Sequence, residues 1–331
     1  MRWGVSYFGV RDPRHVRTDL DEIAGAGFTS VTHTFSEHDL RFHTEDMARI
    51  VEESRTRGLE VGLDPWGVGG LFGGEAYSEL ALRNLACRQV DAEGRWAPAC
   101  CPNAPATVEL LERWARTATE LGADVLFWDE PHFHFAVFGE RAPAPCCRCE
   151  ACAAAWTEHG GAGGLPPEGD PRLGPFRSRS LRRLMEAGIA AADAAGSVRH
   201  SLCLLPRGEF ADAGTDAWDD LATIPGLSRL ATDPYWMSRD VVPREFVRKH
   251  ADLLRPVCDS AGCEMEIWIQ GIRIPAGQEA VIGEACDAAA EAGAESIAFW
   301  SFRGTDRMGW LTCGDPDAAW AAMCDAVRKR S

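Results

Sequence analysis

Short runs of β-branched and aromatic residues alternate along the chain with Ala-, Glu- and Arg-rich stretches of helical periodicity. Runs opening near Trp3, Thr29, Leu59, Asp124, Val198, Arg229, Glu264 and Ser296 predict eight strands. Several of them follow a helix that ends in a glycine turn, at Gly27, Gly58, Gly122 and Gly293. Strands alternating with helices predict parallel βα units, and eight of them favour a closed (β/α)8 TIM barrel over an open sheet. No Gly-x-Gly-x-x-Gly follows the first strand, which removes the usual mark of a dinucleotide fold.

Most strand starts lie about 26 to 35 residues apart, as one strand–loop–helix unit requires. Two intervals, Leu59 to Asp124 and Asp124 to Val198, are much longer. We therefore expect a single barrel domain over residues 1–331, with insertions after strands 3 and 4 at about residues 67–106 and 131–175.

Composition narrows the partners. The 331 residues are 46% hydrophobic and 25% charged, an ordinary globular balance, and the net charge is −16. That charge argues against nucleic acid and anionic lipid. There is no apolar run long enough to span a bilayer and no export signal, so we expect a cytoplasmic protein. The oligomeric state stays open, a homo-oligomer included. Thirteen cysteines, an odd number in a chain without an export signal, argue against a disulfide framework. Cys87, Cys203, Cys286 and Cys324 sit in apolar stretches and read as small buried hydrophobes.

In such a barrel the chemistry sits at the C-terminal ends of the strands. There the sequence offers Tyr7, His33, Asp64, Trp66, Trp128, Asp129, Glu130, His132, Asp233, Trp236, Trp268, Gln270, Trp300 and Arg303. Five tryptophans at one rim suit sugar rings, whose apolar faces stack on indoles while their hydroxyls bond to polar groups. Phe127-Trp128-Asp129-Glu130-Pro131 places two carboxylates among aromatics, where desolvation raises a carboxyl toward the range of a general acid. Glycosidic cleavage needs that acid and a second carboxylate, for which Asp233 is the best candidate.

Cys147-x-Cys149-x-x-Cys152 has the spacing of a metal knuckle. Cys101, in the other insertion, supplies a fourth thiolate if the two loops meet, and four sulfurs make a closed, structural zinc site. Cys146-x-x-Cys149-x-x-Cys152 leaves an iron–sulfur cluster as the alternative.

With these residues in view, the segment from about 100 to 157 resembles the β-galactosidases of glycoside hydrolase family 42. The resemblance rests on Cys101-Pro-Asn-Ala-Pro105, the strand ending in Glu130, the Cys147/Cys149/Cys152 loop and the following Ala-Ala-Ala-Trp156 helix. It implies a retaining-clan barrel, a structural zinc on the four cysteines, and Glu130 as acid/base. This chain carries Asp129 where the family has Asn, and Gln270 where the clan has its nucleophilic glutamate. The second carboxylate therefore stays open between Asp233 and an Asp129-oriented, substrate-assisted route on 2-acetamido sugars.

The expectation is a glycoside hydrolase acting on a small soluble glycoside. The alternatives are a catalytically silent sugar-binding barrel, or a barrel lyase or isomerase using His33, His38 and His132.

Overall fold

Strand residues alternate between two environments, and the inner one has little room. In the computed structural model, which describes residues 1–135 and 144–330, the inward positions near the start of the barrel are small. A β-carbon on Gly4 would stand 2.8 Å from Ser30 Oγ, and one on Gly62 would stand 2.9 Å from Thr32 Oγ1. The strands are β1 (Arg2–Tyr7), β2 (Ser30–Thr34), β3 (Glu60–Asp64), β4 (Arg88–Val90), β5 (Trp96–Cys100), β6 (Val125–Trp128), β7 (Arg199–Leu204), β8 (Leu227–Thr232), β9 (Glu264–Gln270) and β10 (Ser296–Trp300). Eight of them close a parallel barrel in the order β1-β10-β9-β8-β7-β6-β3-β2. The expected (β/α)8 fold is the observed one, and each predicted strand start lies within two residues of the observed start. The antiparallel β4–β5 hairpin in the first insertion was not foreseen.

The helices are α1 (Pro13–Gly25), α2 (Glu37–Phe42), α3 (Thr44–Thr56), α4 (Glu79–Arg83), α5 (Pro105–Glu120), α6 (Glu150–Glu158), α7 (Leu173–Ala195), α8 (Trp218–Leu221), α9 (Pro243–Ala261), α10 (Ala280–Glu291) and α11 (Pro316–Arg328). Local sequence starts them. Asp12 caps α1 with Pro13 at its first turn, and Ser36 with Asp39 forms a capping box on α2. Gly27 (φ +93°) and Gly293 (φ +89°) supply the left-handed turns that lead out of α1 and α10 into β2 and β10. Among the described residues no helix is long and apolar enough to cross a membrane.

The main core lies between the outer face of the strands and the helices, with Trp3, Val31, Leu63, Trp114, Trp128, Leu202, Ile267 and Phe299 all buried there. Inside the barrel, the N-terminal end is plugged by ions. Arg229 reaches Glu60 at 3.1 Å, Glu266 at 3.2 Å and Glu264 at 3.6 Å, while Arg2 pairs with Glu264. The C-terminal half of the interior is aromatic instead, with Phe8, Phe127, Trp268 and Trp300 in one buried cluster. This split leaves the C-terminal mouth for chemistry.

Candidate active site

Three barrel strands end in a carboxylate. Asp64 is the last residue of β3, Asp233 follows β8 directly, and Asp129-Glu130 follow β6. Each acidic segment is closed by proline, at Pro65, Pro131 and Pro234, which cannot donate and so ends the ladder. Two of these ends are built alike. In Asp64-Pro65-Trp66 the Trp66 amide donates to the Asp64 carbonyl at 2.8 Å, and in Asp233-Pro234-Tyr235 the Tyr235 amide donates to Asp233 at 2.6 Å. These bonds from residue i+2 to residue i are tight γ-type turns.

Asp129 and Glu130 are held from both sides. The Gly73 amide donates to the Asp129 carbonyl, and the Glu130 amide donates to the Cys203 carbonyl at the end of β7, both at 3.1 Å. Glu130 has φ +45°, a conformation that costs a non-glycine residue on the order of 1–3 kcal/mol. A β-carbon on Gly73 would collide with Asp129 Oδ2 and stand 3.1 Å from Glu130 Oε2. The two carboxylates therefore press against the same bare stretch of backbone.

Asp64, Asp129, Glu130 and Asp233 act on one another, and no lysine or arginine offsets them among the described residues. Burial pushes all four carboxyls up, and like-charge neighbours add to the rise for Asp64, Asp129 and Asp233. Glu130 and Asp233 act on each other directly, Glu130 raising Asp233 and Asp233 partly offsetting the rise of Glu130. Asp64 is wholly buried and neither of its oxygens has a hydrogen-bond partner.

The aromatic wall runs from ring to ring. Trp66 lies 5.6 Å from Phe8, Phe8 5.3 Å from Trp300, Trp300 6.1 Å from Trp268, and Trp268 4.7 Å from Phe127. Burial, with the charge of Asp233 and Asp129 added to it, raises the Tyr235 phenol. His132 bonds through Nδ1 to the Glu130 carbonyl, and burial lowers its pKa to about 4, which leaves a neutral ring.

Other rim expectations are corrected. Tyr7 faces outward and donates to Asp19 of α1 at 2.6 Å, and His33 bonds to Ser54 of α3 at 2.9 Å. Trp128 points into the helical layer, where its indole meets His200 at 3.3 Å. The Trp236 ring joins the same outer core. Arg303 pairs with Glu22 of α1 at 2.6 Å. Gln270 faces inward but is fully engaged. Its Oε1 accepts from the amides of Trp236 and Met237 at 2.7 and 2.8 Å, and its Nε2 donates to Ile272 at 2.9 Å. Glu266 lies deep in the barrel, held by Arg229, by Trp268 at 2.9 Å and by Ser296 at 2.6 Å. His38 is exposed and pairs with Glu79, which separates it from His132. Sequence reasoning missed Tyr235, Phe8 and Gly73. The repeated Asp-Pro-aromatic tripeptide was the available signal for Tyr235, since it makes that residue the counterpart of Trp66.

The second centre joins the two insertions. Sγ atoms of Cys101, Cys147, Cys149 and Cys152 lie within 4.8 Å of one another and are buried, compatible with a structural metal. Amide N–H groups of Asn103 and Val90 point at Cys101 and Cys147 at 3.4 Å, and the Asn103 side chain donates to Cys152 at 3.3 Å. A set of four buried sulfurs suits a closed tetrahedral site. Gln89 of β4 ties this region to the carboxylate turn: it accepts from the His134 amide at 3.1 Å and donates to the Cys100 carbonyl at 2.9 Å.

No protein-family profile matches the chain, and no curated protein matches it. Solved structures share its fold. The endo-1,4-β-mannanase of Rhizomucor miehei aligns at TM-score 0.59 and 10% identity, over 99% of this chain and 95% of that one. The β-glycosidase BGL167 aligns at 0.55 and 14% identity, over 100% and 97%. A D-allulose 3-epimerase from Methylomonas aligns at 0.53 and 13% identity, over 100% and 98%. At such identities the likeness is one of fold.

Proposed function

We propose that the protein hydrolyses a small glycoside, with Glu130 as general acid/base and Asp233 as the second carboxylate. The observation that carries this reading is the gathering of buried carboxyls, Glu130 and Asp233 among them, beside the aromatic wall of Phe8, Trp66, Trp268 and Trp300, which we read as one recess at the barrel mouth. Burial raises the Glu130 carboxyl, toward the protonated form that a general acid requires. As the bond breaks, positive charge grows on the sugar ring, and that charge favours ionisation of the neighbouring Asp64 and Asp129 carboxyls. Trp66 and Tyr235 hold the ring faces. The resemblance of residues 100–157 to family 42 supports the acid/base role of Glu130. The glycosidases among the fold neighbours are in keeping with sugar chemistry on this scaffold.

We assign the four cysteines to structural zinc. It would be held by Cys101, Cys147, Cys149 and Cys152 and would supply no chemistry to the recess. With thirteen free cysteines the chain suits a reducing compartment, so we place it in the cytoplasm as a single barrel domain.

The test is incubation of the purified protein with a panel of nitrophenyl and alkyl glycosides, including 2-acetamido sugars, while free sugar is measured. Release that depends on Glu130 supports the proposal. Sugar binding without release from any glycoside would identify a silent binding barrel.

A further inference from the structure

The floor of the recess is made almost entirely of acceptors. Asp64, Asp129, Glu130 and Asp233 converge there with no cationic side chain among the described residues to balance them. Neutral sugars are usually gripped by donors and acceptors together, because each hydroxyl is both. Here the strongest unspent capacity is negative, and it sits deepest. Asp64 is completely buried with both oxygens unpartnered, and Asp233 Oδ1 is also without a partner. An unpaired buried carboxyl is costly as an ion and is held toward its neutral form, so it ionises most readily when a ligand brings the compensating positive charge.

What brings it must fit the spacing. A divalent metal needs ligand oxygens at about 2.0–2.6 Å, hence close to one another. Among the described residues only the four cysteines gather three ligand atoms that tightly. An ammonium group bonds to carboxylates at about 2.7–2.9 Å and tolerates oxygens set farther apart. It has three donors and no acceptor, the complement of this floor. It is also attracted by indole and phenol faces, and Trp66 and Tyr235 close the twin turns that begin at Asp64 and Asp233. The net charge of −16 draws cations toward the molecule as a whole.

We propose that the recess takes a sugar bearing a free amino group, an unacetylated amino sugar or its glycoside, whose ammonium is held by Asp64 and Asp129. The inference rests on reading the recess as a glycoside site and adds the chemical class of the sugar. Acetylation removes both the charge and two of the donors, so the 2-acetamido counterpart is disfavoured at the same position.

The experiment is calorimetric titration of the full chain with 2-amino and 6-amino hexoses, their N-acetyl derivatives and the parent hexoses. Magnesium and manganese chlorides are titrated alone as further probes. We expect at least one amino sugar to bind ten or more times tighter than its parent and its acetylated form. Asp64→Asn should erase that preference, bringing amine and parent hexose to within about twofold of each other. Asp129→Asn, compared with it by thermal melt, guards against a folding defect in either variant. Equal affinity for amine and parent, or a metal that binds while no amine does, overturns the inference. Glycosides supply the second readout. Hydrolysis of neutral glycosides without amine preference defeats only the inference, and tight amine binding without hydrolysis of any glycoside defeats only the hydrolase reading.

Discussion

The amide of Gly73 donates to the carbonyl of Asp129 at 3.1 Å, and this contact lets the loop after β3 close over the carboxylates that follow β6. The approach depends on the absent side chain, since a β-carbon there would strike Oδ2 of Asp129. Gly73→Ala should therefore displace Asp129 or Glu130. Overpacking of this kind costs about 1–3 kcal/mol. We expect kcat to fall more than tenfold with a modest loss of melting temperature. Unchanged kcat in a normally folded variant would show that the contact does not position the acid.

The carboxylate cluster should also leave a signature in stability against pH. Asp64, Asp129 and Asp233 have folded pKa values above the unfolded value of about 3.9, so the folded state holds more protons above that pH. Their contribution is complete below the unfolded pKa and is lost as pH rises through the folded values. Surface acids held low by arginine, such as Asp12 beside Arg14 and Asp170 beside Arg172, act in the opposite sense, below about pH 4. Melting temperatures of the wild type and Asp64→Asn, taken from pH 4 to 8, should diverge in favour of the variant as pH increases. A constant difference across that window would mean that Asp64 is not raised.

These carboxylates were legible because they stand at strand ends in short acidic segments closed by proline. The barrel was legible because parallel βα units repeat with caps that sequence alone marks. The direction of the side chains was not. Period-two alternation gives two faces but not which of them is inner, and Trp128 shows the consequence. If Asp129 faces the mouth, its neighbour must face the helices, and Trp128 does so against His200. Tyr7 and His33 fall on the same outer face. The β4–β5 hairpin escaped notice because its strands are short, with Pro98 in one and Trp96 60% exposed.

Gln270 gives a sharp test of mechanism by substitution. Placing there the glutamate of the clan this chain resembles, with Gln270→Glu, should not create a nucleophile, because all three polar contacts of Gln270 go to backbone. The new carboxylate would keep the two amides and lose its donor to Ile272, costing about 1–3 kcal/mol. We expect lower melting temperature and no gain in kcat. A gain would show that this position takes part in catalysis after all.

Elemental analysis should find one zinc per chain, lost on prolonged chelation together with melting temperature. Cys149→Ser should destabilise the fold while leaving KM within about twofold at temperatures where the variant stays folded. Full stability in metal-free protein would contradict the assignment.

The central claim is that Glu130 delivers a proton to a leaving group, and one comparison reaches it most directly. Wild type and Glu130→Gln are assayed on an alkyl glycoside, which needs protonation, and on a dinitrophenyl glycoside of the same sugar, which hardly does. We predict a loss of about 10²–10⁴ in kcat/KM on the alkyl substrate and less than about tenfold on the activated one. Equal losses on both substrates, or no loss on the alkyl glycoside, would contradict it.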